Sequence, residues 1–137
     1  MPMEYTIVRS LRLAYARAWG RIDIDDILQL GTRLFSDQDW ETGFNVLLDY
    51  RDIEHMDIQG REVRQIIDLD KANKAKFKGS KCAVVSDLNH VFGLSRMWQI
   101  MSDGVADMDS MVFRNLSQAL DWLGLKPNVL DSIRLPS

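Results

Sequence analysis

Two histidines, His55 and His90, are the first side chains to consider for catalysis or metal binding. Each lies in a segment rich in carboxylates and other polar groups, namely Asp49, Arg51, Asp52, Ser86, Asp87 and Asn89. Imidazole and carboxylate groups at one edge of a sheet are able to hold a metal ion or move protons. However, the sequence has no HxH, HExxH or paired Cys and His spacing, and such carboxylates often cap helices or bind loop amides. We therefore predict no catalytic and no metal-binding residue, and keep an enzyme as a distant alternative.

Other chemistry-bearing motifs are also missing from the sequence. It contains no Gly-x-Ser-x-Gly, no Gly-x-Gly-x-x-Gly and no P-loop. Asp103, Asp107 and Asp109 form an acidic loop without the central glycine and final glutamate of an EF-hand. The single cysteine, Cys82, is expected to be a small core residue of a strand. The sequence thus predicts that the protein needs no cofactor.

The elements that must position these residues follow from the apolar pattern. Strands are predicted over residues 5–8, 13–19, 44–49, 81–86 and 111–113. Helices are predicted after the capping carboxylates of residues 23–26, and over residues 60–77, 89–103 and 116–123. The order β-β-α-β-α-β-α-β-α predicts an α/β fold with a five-stranded, mixed and mostly parallel sheet. The first strand should be antiparallel at one edge of this sheet, and the helices should pack on it.

The composition is typical of a globular protein and excludes several classes. The chain has 137 residues, of which 46% are apolar and 27% charged, so we expect one domain over residues 1–137. Its net charge of −3 argues against a nucleic-acid partner, which would favour a surplus of Lys and Arg. The first residues lack the pattern of a signal peptide. We expect a cytoplasmic protein, with peripheral attachment to the inner membrane face left open.

Four short segments are informative together, namely Asn45-Val46-Leu47-Leu48-Asp49, Asp57-Ile58-Gln59-Gly60, Met111-Val112-Phe113-Arg114 and Ala119-Leu120-Asp121-Trp122-Leu123. They resemble the STAS family, the fold of bacterial anti-sigma-factor antagonists. Their order and spacing cover nearly the whole chain. The sequence is more similar still to the bacterial branch called STAS-like, which is also compared with CRAL-TRIO lipid carriers. The resemblance implies a STAS-like domain.

One of these segments departs from the family pattern. In phosphorylatable antagonists, the loop after the third strand reads Asp-Ser-Ser-Gly or similar, and a serine at the helix N-terminus accepts phosphate. The matching residues here are Asp57, Ile58, Gln59 and Gly60, and neither middle residue has a hydroxyl group. We therefore interpret residues 57–60 as a vestigial switch loop. Gln59 should lie at the N-terminus of the second helix, Asp57 should offer a cap, and a kinase should not modify the loop.

The predicted helix over residues 89–103 has more apolar side chains than one packing face needs. Most follow the i, i+3, i+4 pattern, namely Val91, Leu94, Met97, Trp98 and Met101, whereas Phe92 and Ile100 fall outside it. Either the whole helix is buried in the core, or its additional apolar side chains contact an apolar ligand, a membrane or a second protomer. The candidate ligand or interface residues are Phe92, Met97, Trp98, Ile100 and Met101.

A basic run is predicted at the end of the second helix, formed by Lys71, Lys74, Lys76, Lys78 and Lys81. It either pairs with the helix C-terminus or faces an anionic membrane, which attracts each lysine by about 1 kcal/mol.

These features favour a non-enzymatic module that binds an apolar small molecule, a lipid or a membrane surface. The alternative is a protein-interaction regulator related to the antagonists but without the phosphorylatable serine. A protein partner and a homodimer both stay open.

Overall fold

The computed structural model describes residues 2–135 and has the predicted order of strands and helices. The strands are β1 (Met3–Val8), β2 (Leu13–Asp23), β3 (Asn45–Asp57), β4 (Ser80–Val85) and β5 (Met108–Phe113). The α-helices are α1 (Ile24–Phe35), α2 (Gly60–Ala72), α3 (Asn89–Ser102) and α4 (Leu116–Trp122). Short 3-10 turns lie at Arg9–Leu11, Lys74–Phe77 and Val129–Ser132. The prediction of an α/β fold is confirmed.

The five strands form one mixed sheet in the order β1-β2-β3-β4-β5. Strand β1 is antiparallel to β2 at one edge, and the other neighbours are parallel. Val46 pairs with Cys82, and Leu48 with Val84, as expected of two adjacent buried strands. Continuous apolar runs predict such strands because both faces of a central parallel strand are covered.

The predicted ends of β2 and β3 were wrong. Strand β2 continues to Asp23 rather than residue 19, and β3 continues to Asp57 rather than residue 49. Their pairing shifts register between Arg17 and Trp19 and again after Gly20, so that β3 carries extra residues as bulges. The second half of β3 is mostly polar, since many of its residues are exposed. A continuous apolar run therefore does not extend over this half of the strand, and the sequence pattern does not predict it.

Helix α1 begins where the sequence predicts. The Asp23 carboxylate accepts a hydrogen bond from the N–H of Asp26, and the Asp26 carboxylate accepts one from the N–H of Asp23, each at 2.9 Å. This reciprocal capping box satisfies two donors at the helix start.

Helix α2 is shorter than the predicted helix over residues 60–77. It ends at Ala72, and the Asn73 side chain donates to the Leu69 carbonyl at 2.9 Å. A 3-10 turn follows and ends at Phe77, whose side chain is buried. Such side-chain hydrogen bonds to the backbone compete with the helical hydrogen bonds, and the spacing of apolar residues does not predict them.

The two faces of the sheet have different covers. Helices α1, α2 and α3 pack on one face, and α4 packs on the other. Side chains along a strand alternate between faces, so Val46 and Tyr50 point toward α1–α3, whereas Leu47 points toward α4. The larger core therefore lies under three helices.

Candidate ligand-binding cavity

A cavity lies between the sheet and helices α1, α2 and α3. Its volume is about 100 Å³, and it is partly open to solvent. All three helices and the central strands contribute to its mainly apolar lining, with side chains that include Phe35, Tyr50, Ile66, Asp70, Leu94 and Trp98. It is thus a tertiary feature with contributions from many parts of the chain.

Asp70 on α2 is the charged group of this cavity. The residue is 5% exposed, and its Oδ2 accepts a hydrogen bond from Nε1–H of Trp98 at 2.9 Å. Burial raises the pKa of Asp70 to about 6, and the bond from Trp98 opposes this shift only in part. Among the described residues, Oδ1 of Asp70 has no hydrogen-bond partner. A buried carboxylate is therefore only half satisfied.

Two residues with hydroxyl groups line the same cavity. They are Tyr50 on β3 and Ser95 on α3, and both residues are buried. Within residues 2–135, neither hydroxyl has a hydrogen-bond partner. Burial raises the pKa of Tyr50, and the neighbouring Cys82 and Asp70 raise it further, so the phenol stays protonated. The cavity thus combines apolar walls with three oxygen-bearing side chains that have free capacity for hydrogen bonds.

Asp70, Tyr50 and Ser95 were not predicted from the sequence as site residues. A signal for Asp70 exists, because it continues the apolar stripe of α2 from Val63 and Ile67 at helical spacing. A carboxylate on the inner face of a helix must find a partner or a cavity. Tyr50 and Ser95 carry no comparable signal.

The candidate residues of α3 lie in different environments. Trp98 is buried and lines the cavity, whereas Phe92 and Met101 are half-buried. The Phe92 ring lies 4.0 Å from the guanidinium carbon of Arg114. Met97 is 39% exposed and Ile100 is 66% exposed. Only Trp98 of the five therefore belongs to the cavity.

The inner face of α3 differs from the predicted stripe. Its buried positions are Val91, Ser95, Trp98 and Ser102, while Leu94 is only partly buried. Two serines occupy inner positions, where apolar patterns do not predict them.

The predicted switch loop joins β3 to α2. Gln59 is the N-cap of α2, as predicted, and its N–H donates to Oε1 of Glu62 at 2.9 Å. The prediction of Asp57 as the cap was wrong, because Asp57 is the last residue of β3. Ile58 is buried and lines the cavity, and a Cβ at Gly60 would lie 3.3 Å from Cε of Met97. The loop therefore packs between the cavity and α3.

The five lysines do not all lie at the end of α2, which corrects the prediction. Lys71 belongs to α2, but the others lie in the 3-10 turn, the following turn and β4. The ammonium group of Lys76 donates to the Phe35 carbonyl, and that of Lys81 lies 5.2 Å from the Trp122 ring centroid. Lys71, Lys74 and Lys78 are exposed.

The carboxylates near the end of the predicted third strand were expected to cap helices or to bind loop amides. Asp49 and Asp52 form ion pairs and cap no helix, although Oδ1 of Asp49 also accepts a hydrogen bond from the backbone N–H of Arg51 at 3.3 Å. Asp49 is fully buried and accepts hydrogen bonds from Tyr15 at 2.7 Å and from Nε and Nη2 of Arg51 at 2.8 Å. Burial tends to raise the pKa of Asp49, but the hydrogen bonds from Arg51 and Tyr15 outweigh it and lower the pKa. Asp52 pairs with Arg17 at 2.9 Å. These groups are occupied in holding strands together.

The histidines add no metal centre. His55 is an exposed residue of β3, and Nε2 of His90 lies 3.1 Å from the Met56 carbonyl oxygen. Across residues 2–135, no three His, Cys, Asp or Glu side chains are grouped closely enough to hold a metal ion. In the same range, no helix has the length and apolar character needed to cross a membrane.

Comparisons with known proteins bear on the fold. No family model matches the chain, and a search of curated proteins found no match. A crystal structure of an uncharacterised DUF3478-family protein from Shewanella loihica, described as having a SpoIIAA-like fold, is similar with a TM-score of 0.55. The two chains are 17% identical, and the match covers 88% of this chain and 93% of the other. Together with the strand order and helix placement, this similarity shows that the chain has the SpoIIAA-like, or STAS-like, fold.

Proposed function

We propose that the protein is a non-enzymatic binding module that holds a small apolar molecule in the cavity between the sheet and α1–α3. The cavity of about 100 Å³ is the observation that carries this proposal. Protein interiors are normally packed to crystal-like density. A closed cavity of this volume, left empty, would cost about 2 kcal/mol, at about 24 cal/mol per Å³. An occupant that fills the space recovers part of this cost.

The size of the cavity limits the ligand. An engineered apolar cavity of about 150 Å³ in another protein binds benzene. A volume of about 100 Å³ therefore suits a molecule with four or five non-hydrogen atoms. The cavity is partly open to solvent, and some of its lining residues are only partly buried, namely Ile27, Leu48, Ile66, Leu69, Leu94 and Met108. A longer ligand would have to extend through this opening.

Filling the cavity is expected to weaken ligand binding. Leu94→Phe places extra volume in the cavity from α3, and Leu116→Phe is a matched control because Leu116 is equally a partly buried helix residue on the other face of the sheet. In an NMR titration with isopentane, the indole N–H of Trp98 should shift in the wild type and in Leu116→Phe. We expect at least a ~10-fold weaker affinity in Leu94→Phe, since overpacking excludes the ligand.

Native mass spectrometry of protein purified from cells gives a second measurement. We expect an additional small-molecule mass that Leu94→Phe loses and Leu116→Phe keeps. A co-purifying protein in its place would support the alternative of a protein-interaction regulator. The proposal fails if isopentane shifts the Trp98 signal equally in the wild type and in Leu94→Phe.

A membrane-binding role is the second candidate, favoured by exposed apolar side chains on and beside α3. Leu88 is 40% exposed, Met97 39% and Ile100 66%, and large apolar residues exposed together often mark binding surfaces. In flotation assays with anionic phosphatidylglycerol vesicles, wild type should float and Ile100→Ser should float about 10-fold less, because burying an isoleucine contributes about 1.5–3 kcal/mol.

Three comparisons make the flotation assay specific. Phe92→Ser tests a second candidate residue of α3, and Ile133→Ser is the same substitution as Ile100→Ser at a partly buried site away from α3, in the cluster below α4. Neutral phosphatidylcholine vesicles test the contribution of the exposed Lys71, Lys74 and Lys78. Equal flotation of wild type, Ile100→Ser and Ile133→Ser would exclude α3 as the membrane contact.

A further inference from the structure

We propose that the cavity selects small apolar amines, whose ammonium group pairs with the carboxylate of Asp70. This inference rests on the proposed function, since it names the chemical class that the same cavity would bind. It is carried by the position of a buried, half-satisfied carboxylate among apolar walls.

One oxygen of the Asp70 carboxylate has free capacity for a donor that the described chain does not supply. Trp98 donates to Oδ2, while Oδ1 has no hydrogen-bond partner within residues 2–135. Buried charges in proteins are normally paired and hydrogen-bonded, because their transfer from water is unfavourable. A cationic ligand would supply both the opposite charge and the missing donor.

The neighbouring side chains suit an ammonium group in particular. An ammonium group has three N–H donors and no acceptor. The cavity lining includes Asp70, Tyr50 and Ser95, whose carboxylate and hydroxyl oxygens are able to accept a hydrogen bond. A carboxylate ligand would instead place a second negative charge beside Asp70. The remaining lining is mainly aliphatic and aromatic, which suits a hydrocarbon tail.

Isobutylamine is a suitable probe because its four carbons and one nitrogen match the cavity volume. Isopentane has the same shape with a methyl group in place of the ammonium, and isobutyrate carries the opposite charge. At pH 8 the amine is protonated, and Asp70, whose pKa is about 6, is ionised. The three probes therefore differ mainly in the charge that they present to Asp70.

The test is an NMR titration of the intact protein, with the indole N–H of Trp98 as reporter. Wild type should bind isobutylamine about 10-fold more tightly than isopentane, because hydrogen bonds to charged groups are stronger than neutral ones. Isobutyrate should bind more weakly than both. Asp70→Asn should lose the preference for the amine but still bind isopentane. Asp68→Asn, an exposed change on the same helix, should behave as wild type.

The outcomes separate this inference from the proposed function. If isopentane and isobutylamine bind wild type with equal affinity, the selection of amines is refuted and the apolar cavity remains. Tighter binding of isobutyrate, or an amine preference that survives in Asp70→Asn, also refutes it. If neither isopentane nor isobutylamine binds, the proposed function itself fails.

Discussion

Asp70→Asn is expected to stabilise the fold by about 2–3 kcal/mol at pH 8 and to change its stability little at pH 4. The pKa of Asp70 is about 6 in the folded protein, because the side chain is buried. Its ordinary value is 3.8. One pKa unit corresponds to about 1.4 kcal/mol, so two units correspond to about 3 kcal/mol. Asparagine does not ionise, and its carbonyl oxygen is able to accept the hydrogen bond from Trp98.

The sign follows from proton binding. Between about pH 4 and pH 6 the folded protein holds a proton on Asp70 that the unfolded chain has largely lost, so rising pH favours unfolding. Above about pH 6 Asp70 has lost its proton in the folded protein as well, so its effect on stability no longer changes with pH. The other titratable groups of the cavity, Tyr50 and Cys82, have raised pKa values and stay protonated over this range. Asp49 has a lowered pKa, so its stabilising effect is lost only as the pH falls below the ordinary carboxyl range.

Urea unfolding from pH 4 to pH 8 measures this effect as the difference between wild type and variant. Contributions from Asp49 and other carboxylates cancel in that difference. Asp68→Asn is the control, since it removes the same charge from an exposed site of α2. A difference between wild type and Asp70→Asn that is the same at pH 4 and pH 8 would show that Asp70 is not a strained buried acid.

Phe77→Ala is expected to lower the free energy of unfolding by about 3–5 kcal/mol. Phe77 is 1% exposed and lines the cavity. Its ring packs edge-on against Phe35, with centroids 4.7 Å apart, and lies 6.1 Å from the ring of Trp40. The residue therefore holds the 3-10 turn after α2 against α1 and the sheet.

The Phe77 variants are measured by urea unfolding. Small domains have only about 5–15 kcal/mol of stability, so Phe77→Leu provides a milder change that should keep the chain folded. We expect a loss of about 1–2 kcal/mol from Phe77→Leu. Phe113→Ala, at a half-buried site on the other face of the sheet, should cost less than Phe77→Ala. Unchanged stability in Phe77→Leu would contradict the assigned role of this ring.

Several parts of the fold were predictable because they depend on local spacing. The apolar runs around Val46 and Val84 predicted adjacent parallel strands, and the carboxylates from Asp23 onward predicted the start of α1. The predicted position of Gln59 at the start of α2 was also correct. Element ends were less predictable, since the polar second half of β3 pairs with β2 without a continuous apolar run.

The candidate site was predictable only in small part. Trp98 was among the candidate residues, but the pattern favoured Phe92 and Ile100 over it, and Ile100 is mostly exposed. Asp49 was expected to cap a helix or to bind a loop amide, yet its main partner is Arg51, because β3 continues past Asp49 and side chains two residues apart on a strand lie on the same face. Asp70 was not predicted as a site residue, although it continues the apolar stripe of α2.

The sequence by itself determined the element order, the mixed sheet and the absence of a hydroxyl side chain at residues 57–60, because each depends on residue types and short-range periodicity. Only the tertiary structure decided that a cavity exists and that Asp70 and Trp98 meet inside it, although 28 positions separate them. The physical reason is that a void is the space left when helices pack on a sheet. Its size and its polar contacts depend on how distant surfaces fit together, which no local pattern encodes.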